Sequence, residues 1–494
     1  MKKIFTLCLL ASVAMMQANA YTLAELAQVV GTLENKYEKN GETITEIIGV
    51  AADGNVYTIM LPTGFASDVS GIGYDDNKIV LSKSYLTVNG DVVVAPGETL
   101  LFAGAAQIEV NGNLTATNAT FGAAEGSEAT AKGIRMYQEG VTATLDGCTL
   151  DYVTINYGNG TANGTFIARN CTFNNTTNKG GNSAINFTSA TSNLLIEGCV
   201  FNDNQLSSIA SGASVGLGGT IKNNVFNKSI TSTRLYPALN ISVSDQDIYI
   251  EDNEVHGPAA NTRAGGIAVS NLLGGANGGT TYIRRNFVED CSYGITLTGS
   301  GNIVMEENTV LNNRYIANPN QGGSGINITI NSTVEGALAK AYMRGNHIEG
   351  NIWGVTIIGT NVDINAGKLV DHETGAAIDP SAEDYNPGEN VFVNNIGTDD
   401  YPHCDWFNNT TTPVYAQGNT WDVEVQDEEH IYQNIYSIAN KTDVYVMPAG
   451  GGTTAITDVK SDVKVSTGRY NLLGQPVDEN YRGIVIENGQ KVIR

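Results

Sequence analysis

Ile248-Tyr249-Ile250-Glu251-Asp252-Asn253-Glu254-Val255 decides the fold. From Ile248 every second residue is apolar until the segment reaches Asn253, so it reads as a short strand with one buried face running into a polar bend. The order recurs in Ile303-Val304-Met305-Glu306-Glu307-Asn308-Thr309-Val310. Reduced to Asn or Cys, any residue, then a large apolar one, the motif appears at Cys148, Cys171, Cys199, Asn224, Asn253, Asn286, Asn308, Asn346, Asn390 and Asn419. Ala119-Thr120-Phe121 is a weaker first member. Successive intervals run from 22 residues, Asn286 to Asn308, to 44, Asn346 to Asn390. Irregular periods of this length suit a solenoid whose loops differ from turn to turn. A second short strand precedes many motifs, as in Gly294-Ile295-Thr296-Leu297 and Gly325-Ile326-Asn327-Ile328. The shortest unit leaves no room for a strand-helix-strand crossover of roughly 30 residues, which excludes a doubly wound sheet.

Coils stacked about 4.8 Å apart place equivalent residues in register, which predicts an all-β parallel β-helix. Asparagine suits the bend because its amide both donates and accepts, so a stack of Asn satisfies itself and the turn backbone. Asn224, Asn253, Asn286, Asn308 and Asn346 are expected in one column, which Cys148, Cys171 and Cys199 continue as small buried groups. A packed thiol column is favoured over disulfides, which the spacing does not exclude.

The pattern Ile-x-Ile-Glu-x-Asn-x-Val, with paired Asn at Asn312-Asn313 and Asn394-Asn395, resembles the right-handed parallel β-helix proteins of the pectin-lyase-like superfamily. The opening stretch from Leu86 to Leu100 looks like a first coil of such proteins. The resemblance implies a right-handed solenoid over residues 86–440. It leaves the activity open, because that superfamily hosts lyases, hydrolases, esterases, adhesins and inert scaffolds.

The flanks differ from the solenoid. Residues 1–20 read as an export signal: Lys2 and Lys3, an apolar stretch to Ala14, and Ala18-Asn19-Ala20 as cleavage site. In the N-terminal cap region, residues 21–85, the capping box Thr22 with Glu25 and apolar Leu23, Leu26, Val30 and Leu33 predict a helix over 22–37 that plugs the open coil end. Asp427-Glu428-Glu429, followed by Ile431, Ile435 and Ile438, predicts a short closing helix at the other end. A linker, 441–454, leads to a tail, 455–494, that reads as three short strands and resembles type IX secretion sorting modules. This places the protein outside the cell or on the surface of a Gram-negative bacterium.

Glycine stands at 56 and asparagine is nearly as frequent, while charged residues make up 16%. The net charge of −24 makes nucleic acid an unsuitable partner, since phosphates need a basic surface. No later segment is apolar enough to span a membrane.

Catalytic signatures are mostly missing. Lyases of the resembled superfamily need a carboxylate cluster for calcium beside an Arg or Lys base. Asp247 and Glu251, with Asp245, Asp252 and Arg284 nearby, form the nearest set, and a solvated charged face explains them better. Calcium is the one cofactor they suggest. Hydrolases there resemble one another through paired aspartates, a Gly-His-Gly element and an Arg-x-Lys element. Here Asp399-Asp400 and His256-Gly257 stand apart, and the five histidines show no metal-ligand spacing. A glycan contact is expected instead at the C-terminal coils, where Trp353, Tyr401 and Trp406 lie near an acidic insertion carrying Asp371 and Glu373, although packing inside the last coils is the competing account of the tryptophans. Two functions follow: an exported β-helix that binds polysaccharide or a matrix partner without catalysis, and a diverged polysaccharide lyase or glycoside hydrolase. Missing signatures and scarce basic residues favour the first.

Overall fold

The computed structural model describes residues 90–448 apart from 159–163, 178–182, 214, 229–235, 260–262, 272–277, 332–333 and 439; outside that span it describes only strands. The chain divides into two compact units, Met1–Gly450 and Gly451–Arg494. The expected signal, the linker glycines and the first part of the expected N-terminal helix lie outside the described residues.

The first unit is a parallel β-helix. Each coil contributes one strand to each of three long sheets, which hold 16, 13 and 13 strands among the described residues. One coil shows the order: Ile295–Gly299 in the first sheet, Gly301–Glu306 in the second, Thr309–Leu311 in the third, then Ser324–Thr329 back in the first. Strand alternation follows the sequence pattern, because Ile303, Met305 and Val310 point into a core that continues from Val88 to Val446. Inside it, Phe173, Phe201 and Phe226 stack at 4.8 and 4.7 Å, one coil spacing apart.

Two bends per coil give the chain its composition. The residue just before each motif position is left-handed: Asn223, Asp252, Arg285 and Glu307 have φ of 53 to 57°, and Gly198 occupies the same place. The third-sheet strand spans three residues, and a second left-handed residue follows it, as at Asp290, Asn312 and Asn394. Asn and Gly tolerate this region best, so two such bends per coil account for much of their abundance.

Buried polar columns line both bends. In the first, Asn224 Nδ2 donates to Asn253 Oδ1 at 2.9 Å, and the same bond links Asn253 to Asn286, Asn286 to Asn308, Asn308 to Asn346, Asn346 to Asn390 and Asn390 to Asn419. The Cys199 backbone N–H donates to Asn224 Oδ1, and the Cys171 and Cys148 N–H groups donate to the sulfurs of Cys199 and Cys171. Cys148, Cys171 and Cys199 are buried free thiols. The second column lies five residues on. Cys291 N–H donates to Asn313 Oδ1, and Asn313, Asn351 and Asn395 then bond in series, ending at the carboxylate of Asp405. Gly325 packs against this column, where a Cβ would come within 2.8 Å of Asn351 Nδ2.

The ends correct three expectations, one of them the linker at 441–454, since Val444–Pro448 is a strand paired parallel with Val414–Asn419 in the second sheet. Glu34–Lys39, whose first residues were assigned to the N-terminal helix, is a strand antiparallel to Glu42–Val50. The first sheet thus begins with antiparallel strands, and Tyr85–Val88 joins it by pairing with Val56–Leu61. At the C-terminal end the helix lasts one turn, Glu428–Ile431, capped by Asp427; Ile435 belongs to a strand, because it pairs with Trp406 in the first sheet, and Ile438 is exposed. Among the described residues no helix is long and apolar enough to cross a membrane. The second unit holds a three-stranded antiparallel sheet, Arg469–Asn471, Ile484–Glu487 and Gln490–Ile493.

Candidate functional site

The acidic set in the middle of the solenoid is structural. In the second sheet the last outward residue of each strand falls in one register column: Asp146, Arg169, Glu197, Lys222, Glu251, Arg284, Glu306 and Arg344. The sign alternates at every step. Arg284 is held between Glu306, at 2.8 Å, and Glu251, at 3.6 Å, and its guanidinium lies over the Tyr282 ring. Glu251 and Asp252 also take Arg285, and Asp247 Oδ1 accepts from the Thr280 N–H. The structure therefore brings Glu251 and Arg284 together as rungs of a charge ladder, with Asp247 engaged in a turn. All three side chains are engaged in these contacts.

The C-terminal set does not converge. Trp406 is fully buried in the main core against Phe392 and Trp421. Trp353 is 2% exposed and packs with Ile352, Cys404 and Phe407 in a second small core on the outer side of the first sheet. Gly323 closes over it: a Cβ there would stand 2.7 Å from Trp353 Cζ3. Neither ring offers a face to a sugar. Tyr401 packs on Tyr436, 4.0 Å between ring centres. Asp371 accepts from the backbone N–H and hydroxyl of Thr374, which hold its carboxyl below the usual range, and Glu373 is exposed.

Two concave sites lie elsewhere. The first is a groove of about 380 Å³ on the outer face of the first sheet. Its floor is built from two register columns, Asn240-Ala268-Thr296-Asn327 and Ser270-Thr298-Thr329. The loop before Ser324 supplies a wall of Pro319, Asn320 and Gln321, and Tyr293 closes one end. Asn327 Oδ1 accepts from Thr296 and Thr329, and its Nδ2 reaches the Pro319 carbonyl at 3.4 Å. No Asp, Glu, Lys, Arg or His lines the groove among the described residues. Sequence reading passed over it, although outward Asn and Thr recurring in Gly-Ile-x-Leu/Ile strands were the available signal. The second, a cleft of about 550 Å³, lies on the second sheet under the acidic insertion, between Tyr342 and Tyr415.

One buried charge was also not anticipated. Lys228 donates to the carbonyls of Asn204 and Leu206, and burial pulls its pKa down to about 8.

Residues 125–356 match a family model described as a periplasmic copper-binding protein, NosD. No curated protein matches the chain. Among solved structures, similar chains include the periplasmic alginate epimerase AlgG, 12% identical over 77% of this chain and 80% of that one with a TM-score of 0.38. Two single-substitution variants of that epimerase are 11% and 10% identical, with coverage of 77% and 74% of this chain and 80% and 85% of theirs, and TM-scores of 0.36 and 0.28.

Proposed function

We propose that the protein is an exported parallel β-helix that binds a neutral polysaccharide, without cleaving it, in the groove across the first sheet. One observation carries this reading: in a chain of net charge −24, the groove is lined by amides, hydroxyls, Tyr293 and Pro319, with no charged side chain among the described residues. Sugar hydroxyls both donate and accept, so rows of Asn, Ser and Thr match them. A lining whose one titratable side chain among the described residues is Tyr293, with no carboxylate, His or Lys, lacks the acid–base pair that glycoside hydrolysis uses.

The periplasmic description of the matching family and the signal-like residues 1–20 support export. The tail, 455–494, is the proposed sorting module. Copper is named in that family's description, but the residues here do not fit a copper centre. Among the described residues no three His, Cys, Asp or Glu side chains gather around a point, and the described cysteines are buried.

Binding of neutral and acidic polysaccharides to the purified chain and to its Asn327→Ala and Thr296→Val variants tests the reading, with reducing ends and unsaturated products measured alongside. The expected result is binding of a neutral glycan, weakened by either substitution, with no product. Enzymatic depolymerisation would overturn it.

A further inference from the structure

The outer face of the second sheet carries tyrosines four residues before four of the ladder Asn: Tyr249 before Asn253, Tyr282 before Asn286, Tyr342 before Asn346 and Tyr415 before Asn419. Register places Tyr249, Tyr282, Val304, Tyr342, Asn365, Tyr415 and Tyr445 in one column. Tyr249 and Tyr282 stack 4.9 Å apart with an interplanar angle of 4°, so a ring at this position fills one coil spacing. Between Tyr342 and Tyr415 the rung is Asn365, which leaves two coil spacings, about 9.6 Å, between tyrosine positions.

Val304 also interrupts the tyrosines, but the Asn365 coil alone among the described coils joins such a gap to a long insertion. The bend from second to third sheet takes two residues elsewhere, as at Glu307-Asn308 and Gly345-Asn346, but here residues 366–389 intervene before Asn390. That insertion folds back beside the missing rung. Asn365 Nδ2 donates to the Asp384 carbonyl at 2.8 Å, and Lys368 binds the Asp384 carboxylate at 2.6 Å while lying 4.8 Å from the Tyr415 ring centre. The result is the cleft of about 550 Å³, lined among others by Lys340, Tyr342, Asp363, Lys368, Glu383 and Tyr415.

We propose that this cleft is a second glycan site, which takes one neutral pyranose ring in place of the missing rung, stacked on Tyr342 with its hydroxyls on Asp363, Glu383 and Lys368. A pyranose has the required shape and chemistry: an apolar face for a tyrosine ring and hydroxyls that satisfy carboxylates and ammonium groups together. A uronate would meet Asp363, Glu383 and Asp384 in a strongly acidic protein, which disfavours it. The site shares the glycan class of the groove but none of its residues.

Titration of the full chain with hexasaccharides of β-1,4-linked glucose, mannose and xylose, and with a hexauronate, tests it in an Asn327→Ala background that silences the groove. At least one neutral hexasaccharide is expected to bind. Tyr342→Ala should weaken that binding at least tenfold, and Asn365→Tyr, which fills the gap, should abolish it. Tyr249→Ala should leave it unchanged. Denaturation midpoints close to the parent's establish that each variant is folded. Absence of neutral binding, indifference to both cleft substitutions, or preference for the hexauronate would overturn the proposal. Loss of all glycan binding on Asn327→Ala alone would leave the groove reading standing and remove this one.

Discussion

Arg284 Nε donates to Glu306 Oε2 at 2.8 Å across one coil boundary, while Arg284 Nη1 lies 3.6 Å from Glu251 across the other. One guanidinium thus bridges three coils, at side-chain exposures near one quarter. Slipping a coil by one residue would turn every such rung inward and set apolar side chains in water. The alternating column from Asp146 to Arg344 adds a second penalty to slippage, because a displaced coil loses its ion pairs to the coils on both sides.

Substitution in this column should read as register energetics rather than lost catalysis. Arg284→Glu puts three acids in succession, with Glu251 and Glu306, and is expected to destabilise by up to about 2 kcal/mol. The urea midpoint should recover partly in 0.5 M salt, and Arg284→Gln, which removes the repulsion without restoring the bridges, should fall between the parent and Arg284→Glu. Salt-independent destabilisation, with equal midpoints for the Gln and Glu variants, would show that the charges themselves do not matter here.

The buried amide column predicts a different scale. Asn286→Ala leaves the Asn253 N–H without its acceptor, takes one of two acceptors from Asn253 Nδ2 and one of two donors from Asn308 Oδ1, and removes the Nδ2 donor from the Ile250 carbonyl, all in the interior. With about 1 to 3 kcal/mol for each stranded group, the loss should exceed about 3 kcal/mol. Asn202→Ala removes a comparable amide bond, to Asn174 at 2.9 Å, on the half-exposed outer face and should cost under about 1 kcal/mol. Equal midpoints for the two variants would refute the burial argument.

The sequence exposed the solenoid because every coil repeats one contact: alternation sets the inward face, and Asn at the bend must bond the coils above and below. The second column stayed hidden because its members vary, with Thr176, Asn204, Cys291 and Asn313 five residues after their rungs. The tryptophans look surface-facing in the sequence for a related reason. Period-two reasoning assumes one solvated face, yet Trp353–Ile358 is buried at every position, since residues near Gly323 and Phe407 cover its outer side. Tyr342 and Tyr415, partly exposed, carried a fixed offset from the ladder Asn that only register made visible.

Asp405 predicts the pH response. Burial pushes its carboxyl up to about 6 from an ordinary 3.8, although Asn395, Asn434 and the Asp422 N–H all donate to it. The folded state holds this proton more tightly than the unfolded state, so the contribution is largest below about pH 4 and falls as pH rises through 6. The span is up to about 3 kcal/mol. Asp405→Asn removes the titration while setting an amide against donors, so it should lower stability at every pH and flatten the difference between pH 4.5 and 7.5. An undiminished difference would assign the pH dependence to other carboxylates.

Trp406 gives the sharpest separation between the two roles that its sequence position suggested. A stacking anchor would lose glycan affinity on Trp406→Ala and keep its stability. The structure instead places the ring at 0% exposure between Phe392 and Trp421, with Nε1 lacking a hydrogen-bond partner among the described residues, so its contribution is packing. Truncation leaves a cavity in the last complete coils and should cost about 3 to 5 kcal/mol. The loss should appear first as earlier exchange of the Cys404–Asn409 and Val414–Asn419 amides, because the first strand carries Trp406 and the second follows it in the same coil. Glycan affinity of the fraction that remains folded should match the parent. A variant with unchanged denaturation midpoint and exchange, but weakened glycan binding, would return Trp406 to the surface role and contradict the burial on which this argument rests.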